Sequence, residues 1–179
     1  GVERLSRIVE DMDMMSKLES GVLDMKMEEF DLMVLITEVL KSMEQKAERA
    51  QIELVSKRTS DRPILILADR DRITQVFLNL LNNSIKYGKE GGRVVVDILD
   101  IEDQLWVEVN DDGIGIAREH LPRLFERFYR VGTSRNRNEG GSGLGLAIVK
   151  HIIDAHGQTI TVTSMKGKGT TFTFTLPKA

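Results

Sequence analysis

The sequence has no cysteine, no long apolar run and little net charge, and each absence excludes a class of protein. Without cysteine, its 179 residues can form no disulfide, no thiolate metal site and no cysteine nucleophile. No apolar run approaches the ~20 residues that a membrane-spanning helix needs, and no signal-peptide pattern opens the chain. A formal net charge of −3 gives no reason to expect a nucleic-acid or membrane surface. We therefore expect a protein of the reducing, cytoplasmic compartment that binds no nucleic acid.

The apolar residues, 41% of the chain, suffice for one core with a short appended element. Near the N-terminus, Leu5, Ile8, Met12 and Met15 recur in steps of three and four, which predicts an amphipathic helix over residues 2–20. Its apolar seam is narrow, and such a seam usually meets another helix. Because the chain starts inside this helix, we expect it to be a fragment of something larger.

Three more helices and several strand-like segments follow. The helices are predicted from near Asp31 onward, over 69–86 and over 144–156, and extended segments over 25–32, 52–56, 64–68, 93–101, 104–110, 159–164 and 170–176. An irregular stretch extends from the "DDGIGI" segment to about Ser142. Long helices that alternate with late strands predict an α/β fold, with a mixed sheet and helices stacked on one face.

The segment "DDGIG" follows directly after a predicted strand. Asp111 can accept a hydrogen bond from an exocyclic amino group, and a shielded, charge-assisted bond of this kind contributes about 1.5–3 kcal/mol. Gly113 and Gly115 allow the backbone to turn sharply and to approach a flat ring closely. A simple Asx turn between two elements explains the same residues about equally well.

The predicted helix over 69–86 has a polar side formed by Asn79, Asn83 and Lys86, which are spaced by four and three residues. Magnesium keeps most of its waters and takes one or two oxygen ligands from protein, and the amide oxygen of Asn83 would suit it. Taken alone, the same residues are more simply explained as a polar face turned to solvent.

Arginines and aromatic residues alternate between Leu121 and Gly143. The arginines are Arg123, Arg127, Arg130, Arg135 and Arg137, and the aromatic residues are Phe125, Phe128 and Tyr129. A structureless connection of this length predicts a lid or a binding loop. Arginine with aromatics is also typical of single-stranded nucleic-acid sites. Because the aromatic residues fall in one tight cluster, mobile arginines around a polyanion fit this stretch better.

The stretch "NEGGSGLGLAIVKHI", residues 138–152, indicates a glycine-rich loop that runs into a helix. Leu146 stands where a Walker loop needs lysine and where a dinucleotide fingerprint needs glycine, so neither pattern applies. The backbone of Gly141, Gly143 and Gly145 can still fold closely around an anion, and the start of the helix directs a positive dipole end at it. Cations elsewhere in the chain can supply the charge.

Five segments together resemble the catalytic ATP-binding domain of bacterial sensor histidine kinases: "NLLNNSIKY", "DDGIGI", "LFERFYR", "GSGLGLAIVK" and "GKGTTFTFTLP". They match that family's N, G1, F, G2 and last glycine boxes in order and at ordinary spacing. "RIVEDMDMMSKLESG" is similar to the second helix of the family's dimerization and phosphoacceptor hairpin. The resemblance implies a hairpin segment over 1–21 and an ATP-binding domain over 28–179, with a nucleotide lid at about 117–142.

The resemblance also implies a Bergerat-type fold, a two-layer sandwich of a mixed, mainly antiparallel sheet with helices on one face. By position, Asp111 would recognise the adenine amino group, Thr170 would help through an ordered water, and Asn83 would coordinate Mg2+. The catalytic residues would be Asn83, Lys86 and Arg130. The residues implied to contact ATP are Asn79, Asn83, Lys86, Tyr87, Asp111, Gly113, Gly115, Ile116, Arg127, Arg130, Gly141, Gly143, Leu144, Gly145 and Thr170.

Some residues depart from the family pattern. Asp112 stands where Asn or Thr is common, and Gly88 replaces the usual Thr or Ser. The phosphoacceptor histidine of the family belongs on the first hairpin helix, which these residues lack. His120 enters the lid, and His151 and His156, with no acidic neighbour following, are expected to be structural or solvent-exposed. We therefore expect that the chain alone does not phosphorylate itself.

The implied function is transfer of the ATP γ-phosphoryl group to a histidine on another segment, and then to an aspartate of a response regulator. The implied partners are ATP and ADP, the phosphoacceptor helix and a receiver domain, in a homodimeric sensor that is membrane-bound and carries this part in the cytoplasm.

Two alternatives remain. Conformational ATPases of the topoisomerase, mismatch-repair or chaperone type share the fold, but they hydrolyse ATP with an acidic residue where this chain has Asn79. The other alternative is a non-catalytic regulator with residues 1–20 as a docking helix, and the intact boxes argue against it.

Overall fold

The computed structural model describes residues 1–21, 24–58, 61–131 and 142–179. The elements in chain order are α1 (Val2–Ser20), β1 (Met27–Asp31), α2 (Leu32–Arg49), β2 (Glu53–Ser56), β3 (Leu65–Asp69), α3 (Arg70–Lys86), β4 (Arg93–Ile101), β5 (Gln104–Asp111), a 3-10 helix (Arg118–Arg123), α4 (Gly145–Ala155), β6 (Ile160–Met165) and β7 (Gly169–Pro177). The helices and strands predicted from the sequence all form, close to their expected bounds.

Five strands form one mixed sheet in the order β2-β4-β5-β7-β6. β2 runs parallel to β4, and the other neighbouring strands are antiparallel. β1 and β3 form a separate antiparallel pair. Along β4 and β5, buried apolar residues alternate with more exposed ones, so one face of the sheet packs against the helices. The mainly antiparallel sheet with helices on one face is therefore confirmed.

Two aspartates begin the helices that follow the paired strands β1 and β3. Asp31 Oδ1 accepts a hydrogen bond from Met33 N at 2.9 Å, and Asp69 Oδ1 accepts one from Arg72 N at 3.2 Å. Such caps satisfy backbone N–H groups that have no partner within the helix. The last residue of β1 is therefore the N-cap of α2, and the last residue of β3 is the N-cap of α3.

The core fixes the rotation of α3 about its axis. Ile73, Val76, Phe77 and Leu80 are fully buried against the sheet, and the Phe77 ring meets that of Phe174 edge-on with centroids 5.4 Å apart. Because this apolar face is held by packing, the polar side of the helix is held in place as well.

The stretch that follows β5 is not irregular throughout, which corrects the expectation from the sequence. Arg118–Arg123 forms a 3-10 helix with Pro122 inside it. His120 N donates to Ala117 O at 3.0 Å, the bond three residues back that defines this helix type. Two short turns of this kind are too few to produce an apolar periodicity that the sequence would show.

The helix α1 packs only in part. Met15 is 4% exposed, and Met14 and Leu18 lie against the core, whereas Leu5 and Met12 remain exposed. The seam predicted from Leu5 to Met15 is thus divided between the core and the surface. In the parts of the chain that are described, no helix combines the length and apolar character that crossing a membrane requires.

His156 has the structural role expected for it. Its Nε2 accepts a hydrogen bond from Asp69 N at 3.0 Å, and its Nδ1 lies 2.7 Å from Ile152 O. This pattern assigns the proton to Nδ1, because Nε2 acts as an acceptor. His156 therefore connects the end of α4 to the end of β3.

Candidate functional site

Asp111 is a buried carboxylate at the end of β5. It is 4% exposed, and its Oδ1 accepts a hydrogen bond from Gly113 N at 2.9 Å. Burial raises the pKa of Asp111, and the charge of Asp112 adds to this, whereas backbone hydrogen bonds from Gly113 and Thr170 and the nearby Ser84 hydroxyl oppose it. The Asx turn considered from the sequence is thus present, but it uses only part of the acceptor capacity of the carboxylate.

The two glycines after Asp111 are required by the protein backbone around them. A Cβ on Gly113 would lie 2.1 Å from Tyr87 O, and one on Gly115 would lie 2.1 Å from Met165 O. Gly115 also has a φ of +69°, which favours glycine. The turn thus closely approaches two neighbouring segments of the chain, and its approach to a flat ring stays a prediction.

Thr170 lies beside Asp111, because the two residues are register partners on β7 and β5. Its hydroxyl is buried and lies 2.8 Å from Ser164 Oγ, which also accepts a hydrogen bond from Ile116 N at 2.8 Å. The structure therefore brings together three residues predicted to contact ATP: Asp111, Ile116 and Thr170. Ser164, which links the last two, was not predicted.

The asparagines of α3 have distinct surroundings. Asn79 Nδ2 donates to Gly145 O at 3.1 Å, so Asn79 holds the start of α4. Asn83, one turn further on, is half-buried. Tyr87 N donates to Asn83 O at 3.1 Å and ends the helix, and Tyr87 O accepts from Ile114 N at 3.1 Å. The polar side of α3 is therefore in contact with both glycine-containing segments.

Three cations from three helices lie near one another at this side of α3. The pKa of Lys46 on α2 is lowered by burial, by Arg7 of α1 and by Lys86 of α3. Lys46 Nζ also donates to Asn82 Oδ1, and Lys86 Nζ lies 5.1 Å from the centre of the Tyr87 ring. A bound polyanion would relieve the mutual repulsion of these cations. Sequence reasoning missed Arg7 and Lys46 because they are distant in the chain from Lys86.

The two ends of the lid region meet at its base. Phe128 N donates to Gly143 O at 2.9 Å, and both residues have positive φ, +61° and +78°. Leu144 is buried and donates its N–H to Ser142 Oγ at 3.1 Å. The part of the lid over 132–141, which includes Arg135, Arg137 and Gly141, lies outside the described residues.

The start of α4 has open space beside Gly145 among the residues that the structure describes. A Cβ on Gly145 would meet no atom within 4 Å, although glycine weakens a helix relative to alanine. The first bond of the helix runs from Ile148 N to Leu144 O at 2.8 Å, so the N–H groups before Ile148 precede the ladder. This open helix start can accept an anion.

Arg127 pairs with Glu19 of α1, and its place on the phosphate side of the site stays a prediction. Ser142 Oγ also donates to Asp11 of α1. The helix α1 therefore packs beside Arg127 and beside Ser142. Arg130 is exposed, and its role near phosphates stays a prediction.

Within the described ranges, no three His, Asp or Glu side chains are grouped so as to hold a metal ion. A metal at this site would therefore depend on few protein ligands, which is the usual situation of magnesium when phosphates supply the remaining oxygens. The amide oxygen of Asn83 belongs to a chemical class that magnesium accepts.

Comparison with known proteins identifies relatives over almost the whole chain. Residues 68–179 match the family described as "Histidine kinase-, DNA gyrase B-, and HSP90-like ATPase". The sensor histidine kinase WalK of Bacillus subtilis (strain 168) is 39% identical over 177 residues, which cover 98% of this chain and 29% of that protein. This chain thus spans about 29% of the length of that relative.

Solved structures share the fold. Full-length histidine kinase ShkA in complex with AMPPNP gives a TM-score of 0.83 at 29% identity, covering 96% of this chain and 36% of that chain. Histidine kinase ThkA in complex with the response regulator protein TrrA gives 0.78 at 29% identity, covering 99% and 48%. Because the matched residues include the polar side of α3, the buried Asp111 and the open start of α4, this chain belongs to the histidine kinase-, DNA gyrase B- and HSP90-like ATPase family, with sensor histidine kinases as its relatives.

Proposed function

We propose that this chain is the Mg2+-ATP-binding catalytic module of a sensor histidine kinase. It transfers the γ-phosphoryl group of ATP to a histidine nitrogen on a segment outside these residues, and ADP leaves. The phosphoryl group then passes to an aspartate of a response regulator. The observation that carries the proposal is the double contact of α3: Ser84 lies beside Asp111, and Asn79 bonds Gly145.

The spacing of these two contacts suits a nucleotide. Ser84 and Asn79 are five residues apart, which corresponds to about 7.5 Å along a helix axis. The last turn of α3 therefore lies near the buried carboxylate, and the middle of the helix, at Asn79, lies near the start of α4. A base and a phosphate chain joined by a ribose need two such sites at a fixed separation, and a rigid helix maintains it.

At the base end, Asp111 accepts a hydrogen bond from an exocyclic amino group. The carboxylate is shielded from water, so this bond is stronger than it would be at the surface. Thr170 and the backbone at Gly113, Gly115 and Ile116 border the same carboxylate or its partner hydroxyls. We assign base recognition to this group.

At the phosphate end, backbone and cations act together. Gly143, Leu144 and Gly145 form the loop and helix start, and Lys86, with Arg7 and Lys46 behind it, supplies positive charge. Arg130 and Gly141 complete the set in our proposal. Phosphoryl transfer depends on positioning and on neutralisation of charge, so it requires no covalent nucleophile on this chain.

We assign the single protein ligand of magnesium to Asn83. When bound there, magnesium would neutralise negative charge on the phosphates. Asn83 is positioned for this task because the buried face of α3 fixes its orientation and the next turn of the helix ends at Tyr87.

The partners in our proposal are the phosphoacceptor helix, a response regulator receiver domain and a second copy of the parent protein. The ThkA structure contains a response regulator protein. The apolar residues that α1 leaves exposed support pairing with another helix, as in a dimerization hairpin. We also propose that the parent protein is a membrane-bound sensor with this part in the cytoplasm.

A conformational ATPase is the second candidate. Such an enzyme needs an acidic residue to activate water at the position where α3 carries Asn79. The amide of Asn79 is engaged with Gly145 O at 3.1 Å and cannot act as a base. This contact favours phosphoryl transfer to a protein histidine over transfer to water.

The deciding experiment uses γ-labelled ATP, magnesium and a sensor-kinase hairpin that carries its phosphoacceptor histidine but lacks an ATP-binding domain. We expect an acid-labile label on the hairpin and none on this chain. Label on this chain would show that one of its own histidines is an acceptor. Steady-state release of phosphate without labelled hairpin would instead support the ATPase.

A further inference from the structure

A buried hydroxyl in α3 lacks a hydrogen-bond partner. Ser84 is fully buried, and its Oγ forms no hydrogen bond with any group in the described parts of the chain. Burying a polar atom without a partner is costly, and serine is a weaker helix former than alanine. The packing of α3 therefore gives no reason for serine at this position.

Other hydroxyls in helices satisfy themselves locally. Thr37 and Thr74 donate to the carbonyl oxygens of Met33 and Arg70, both at 2.8 Å, and Ser42 donates within α2 at 2.7 Å. Bonds of this kind are the ordinary arrangement for a hydroxyl on a helix. Because Ser84 forms none, its hydroxyl is available to a group outside its own helix.

That group is the carboxylate of Asp111. The Ser84 hydroxyl lies close enough to lower the pKa of Asp111, although the two do not form a hydrogen bond of normal geometry. Gly113 N donates to Oδ1 of the same carboxylate at 2.9 Å. Of the donors that act on Asp111, Gly113 and Thr170 use backbone N–H groups, and Ser84 contributes a side chain.

We propose that Ser84 is a positioning residue for base recognition. Its hydroxyl donates a hydrogen bond to the Asp111 carboxylate when that carboxylate accepts one from the exocyclic amino group of a 6-aminopurine nucleotide. An ionised carboxylate offers about four acceptor positions, so Gly113, Ser84 and the base can be bound together. The inference rests on the proposed function, because it assigns a role within the same nucleotide site.

The bond has two consequences for selectivity. It fixes the orientation of the carboxylate, and it favours the ionised form, which only accepts hydrogen bonds. An ionised Asp111 attracts a 6-amino group and repels a 6-oxo group. Ser84 therefore acts on the distinction between adenine and hypoxanthine through Asp111, without contacting the base.

Few charged groups influence Asp111. Asp112, the next residue, repels it, and Asp112 Oδ1 itself accepts from Arg93 N at 3.0 Å. The residues opposite Asp111 in the sheet are Val94 on β4 and Thr170 on β7, and neither titrates. On α3, the group that acts on it is the Ser84 hydroxyl, which is also not titratable. Removing that hydroxyl should therefore raise the pKa of Asp111 further.

The test is a calorimetric titration of the wild-type chain and of Ser84→Ala with two nucleotides, ATP and purine riboside triphosphate, which lacks the amino group. We expect Ser84→Ala to weaken ATP binding by roughly 3- to 10-fold, and binding of the second nucleotide by less than about twofold. The pH at which ATP affinity declines on acidification should move upward. Ser42→Ala on α2, a matched serine change, should alter neither titration.

A double variant tests whether Ser84 acts through Asp111. In an Asp111→Asn background the carboxylate is gone, so adding Ser84→Ala should cause no further loss of ATP affinity. Unchanged ATP binding by Ser84→Ala would overturn the inference and leave the proposed function intact. Equal losses for both nucleotides would overturn it as well, since the hydroxyl would then act on the shape of the pocket. A wild-type chain that binds neither nucleotide would contradict the proposed function itself.

Discussion

The buried charge of Asp111 lowers the free energy of unfolding at neutral pH, and in our proposal the same carboxylate recognises the base. Because burial raises its pKa in the folded chain, the folded state binds its proton more tightly than the unfolded state does. The free energy of unfolding therefore falls as pH rises from the ordinary aspartate pKa through the raised one. A residue that is unfavourable for folding at neutral pH, yet buried in place, is typical of a functional site.

The variant Asp111→Asn should separate these two effects. Asparagine keeps an oxygen that accepts from Gly113 N, but it removes the buried charge. We expect ATP affinity to fall by about tenfold or more, because a charge-assisted bond to the base is lost. The melting temperature of the ligand-free chain should rise at pH 7. Calorimetric titration and a thermal melt measure the two quantities.

The matched comparison for this variant is Arg130→Ala. Lid cations share their task, whereas the base contact is single, so Arg130→Ala should weaken ATP binding less than Asp111→Asn does. Equal losses in the two titrations would contradict this ranking. A lower melting temperature for Asp111→Asn would show that its charge is compensated in the folded chain.

Asn83 should account for the magnesium dependence of nucleotide binding. Asn83→Ala removes the amide oxygen while alanine favours the helix, so we expect ATP affinity that no longer rises when magnesium is added. Asn82→Ala is the control, because Asn82 lies on the same helix but accepts from Lys46. Titrations with and without magnesium distinguish the two variants. A continued magnesium response in Asn83→Ala would refute the assignment.

At the scale of elements, glycine at position 145 makes the start of α4 less stable than alanine would, and it leaves open space beside the backbone there. Gly145 has space for a Cβ, so neither crowding nor backbone conformation explains a glycine there. Asn79 holds the carbonyl of the same residue from α3. The start of α4 is therefore held by Asn79 through the carbonyl of Gly145 and has open space at the Cα of the same residue. This arrangement suits close approach of a phosphate.

The variant Gly145→Ala should stabilise the chain and weaken nucleotide binding. Alanine in place of glycine contributes about 1 kcal/mol in a helix interior, and less at the first residue of a helix, where Gly145 lies. Because about 1 kcal/mol corresponds to roughly 2–4 °C in melting temperature for a chain of this size, we expect a smaller rise than that. The added methyl group would occupy the space that a phosphate needs. Thermal melts with and without ATP provide the measurement.

Gly157→Ala is the control, since that glycine also has free space but a φ of +69°. It should lower the melting temperature and leave nucleotide affinity unchanged. If Gly145→Ala bound ATP as well as the wild type, the phosphate would not approach this backbone.

At the scale of the whole molecule, α1 contacts the lid region and also has an exposed apolar side. It contacts the lid region at Arg127 through Glu19 and at Ser142 through Asp11. Its N-terminal half leaves Val2, Leu5 and Val9 largely exposed on one side. If another helix pairs with α1 at that side, it therefore pairs with the same helix that contacts the lid region.

We expect the chain to self-associate through this side of α1. In sedimentation equilibrium, the wild type should show a concentration-dependent dimer, and Leu5→Glu should remain a monomer because it places charge in the apolar stripe. Arg4→Glu, which places a carboxylate on the opposite side of this part of the helix, should still dimerise. A wild type that stays monomeric at high concentration would contradict this expectation. The melting temperature should be similar in both variants at low concentration.

The candidate site was only partly predictable. Asp111, Asn79 and Gly145 could be identified from local patterns, because carboxylates after strands, polar residues spaced along a helix and glycine-rich loops each have a recognisable chemistry. The pairing of Arg127 with Glu19 was not predicted, because Glu19 is more than a hundred residues away in the chain. Ser84, Ser164 and Lys46 were missed for the same reason: their significance depends on neighbours from other elements.

By itself, the sequence determined the helices, the strands and their order, since apolar periodicity and aspartate caps act over a few residues. It also determined the family, because the motifs carry their chemistry in short segments. Only the tertiary structure decided which face of α3 meets Asp111 and Gly145, that the Ser84 hydroxyl lacks a partner, and that α1 contacts the lid. These features arise from packing between distant segments, which local patterns do not encode.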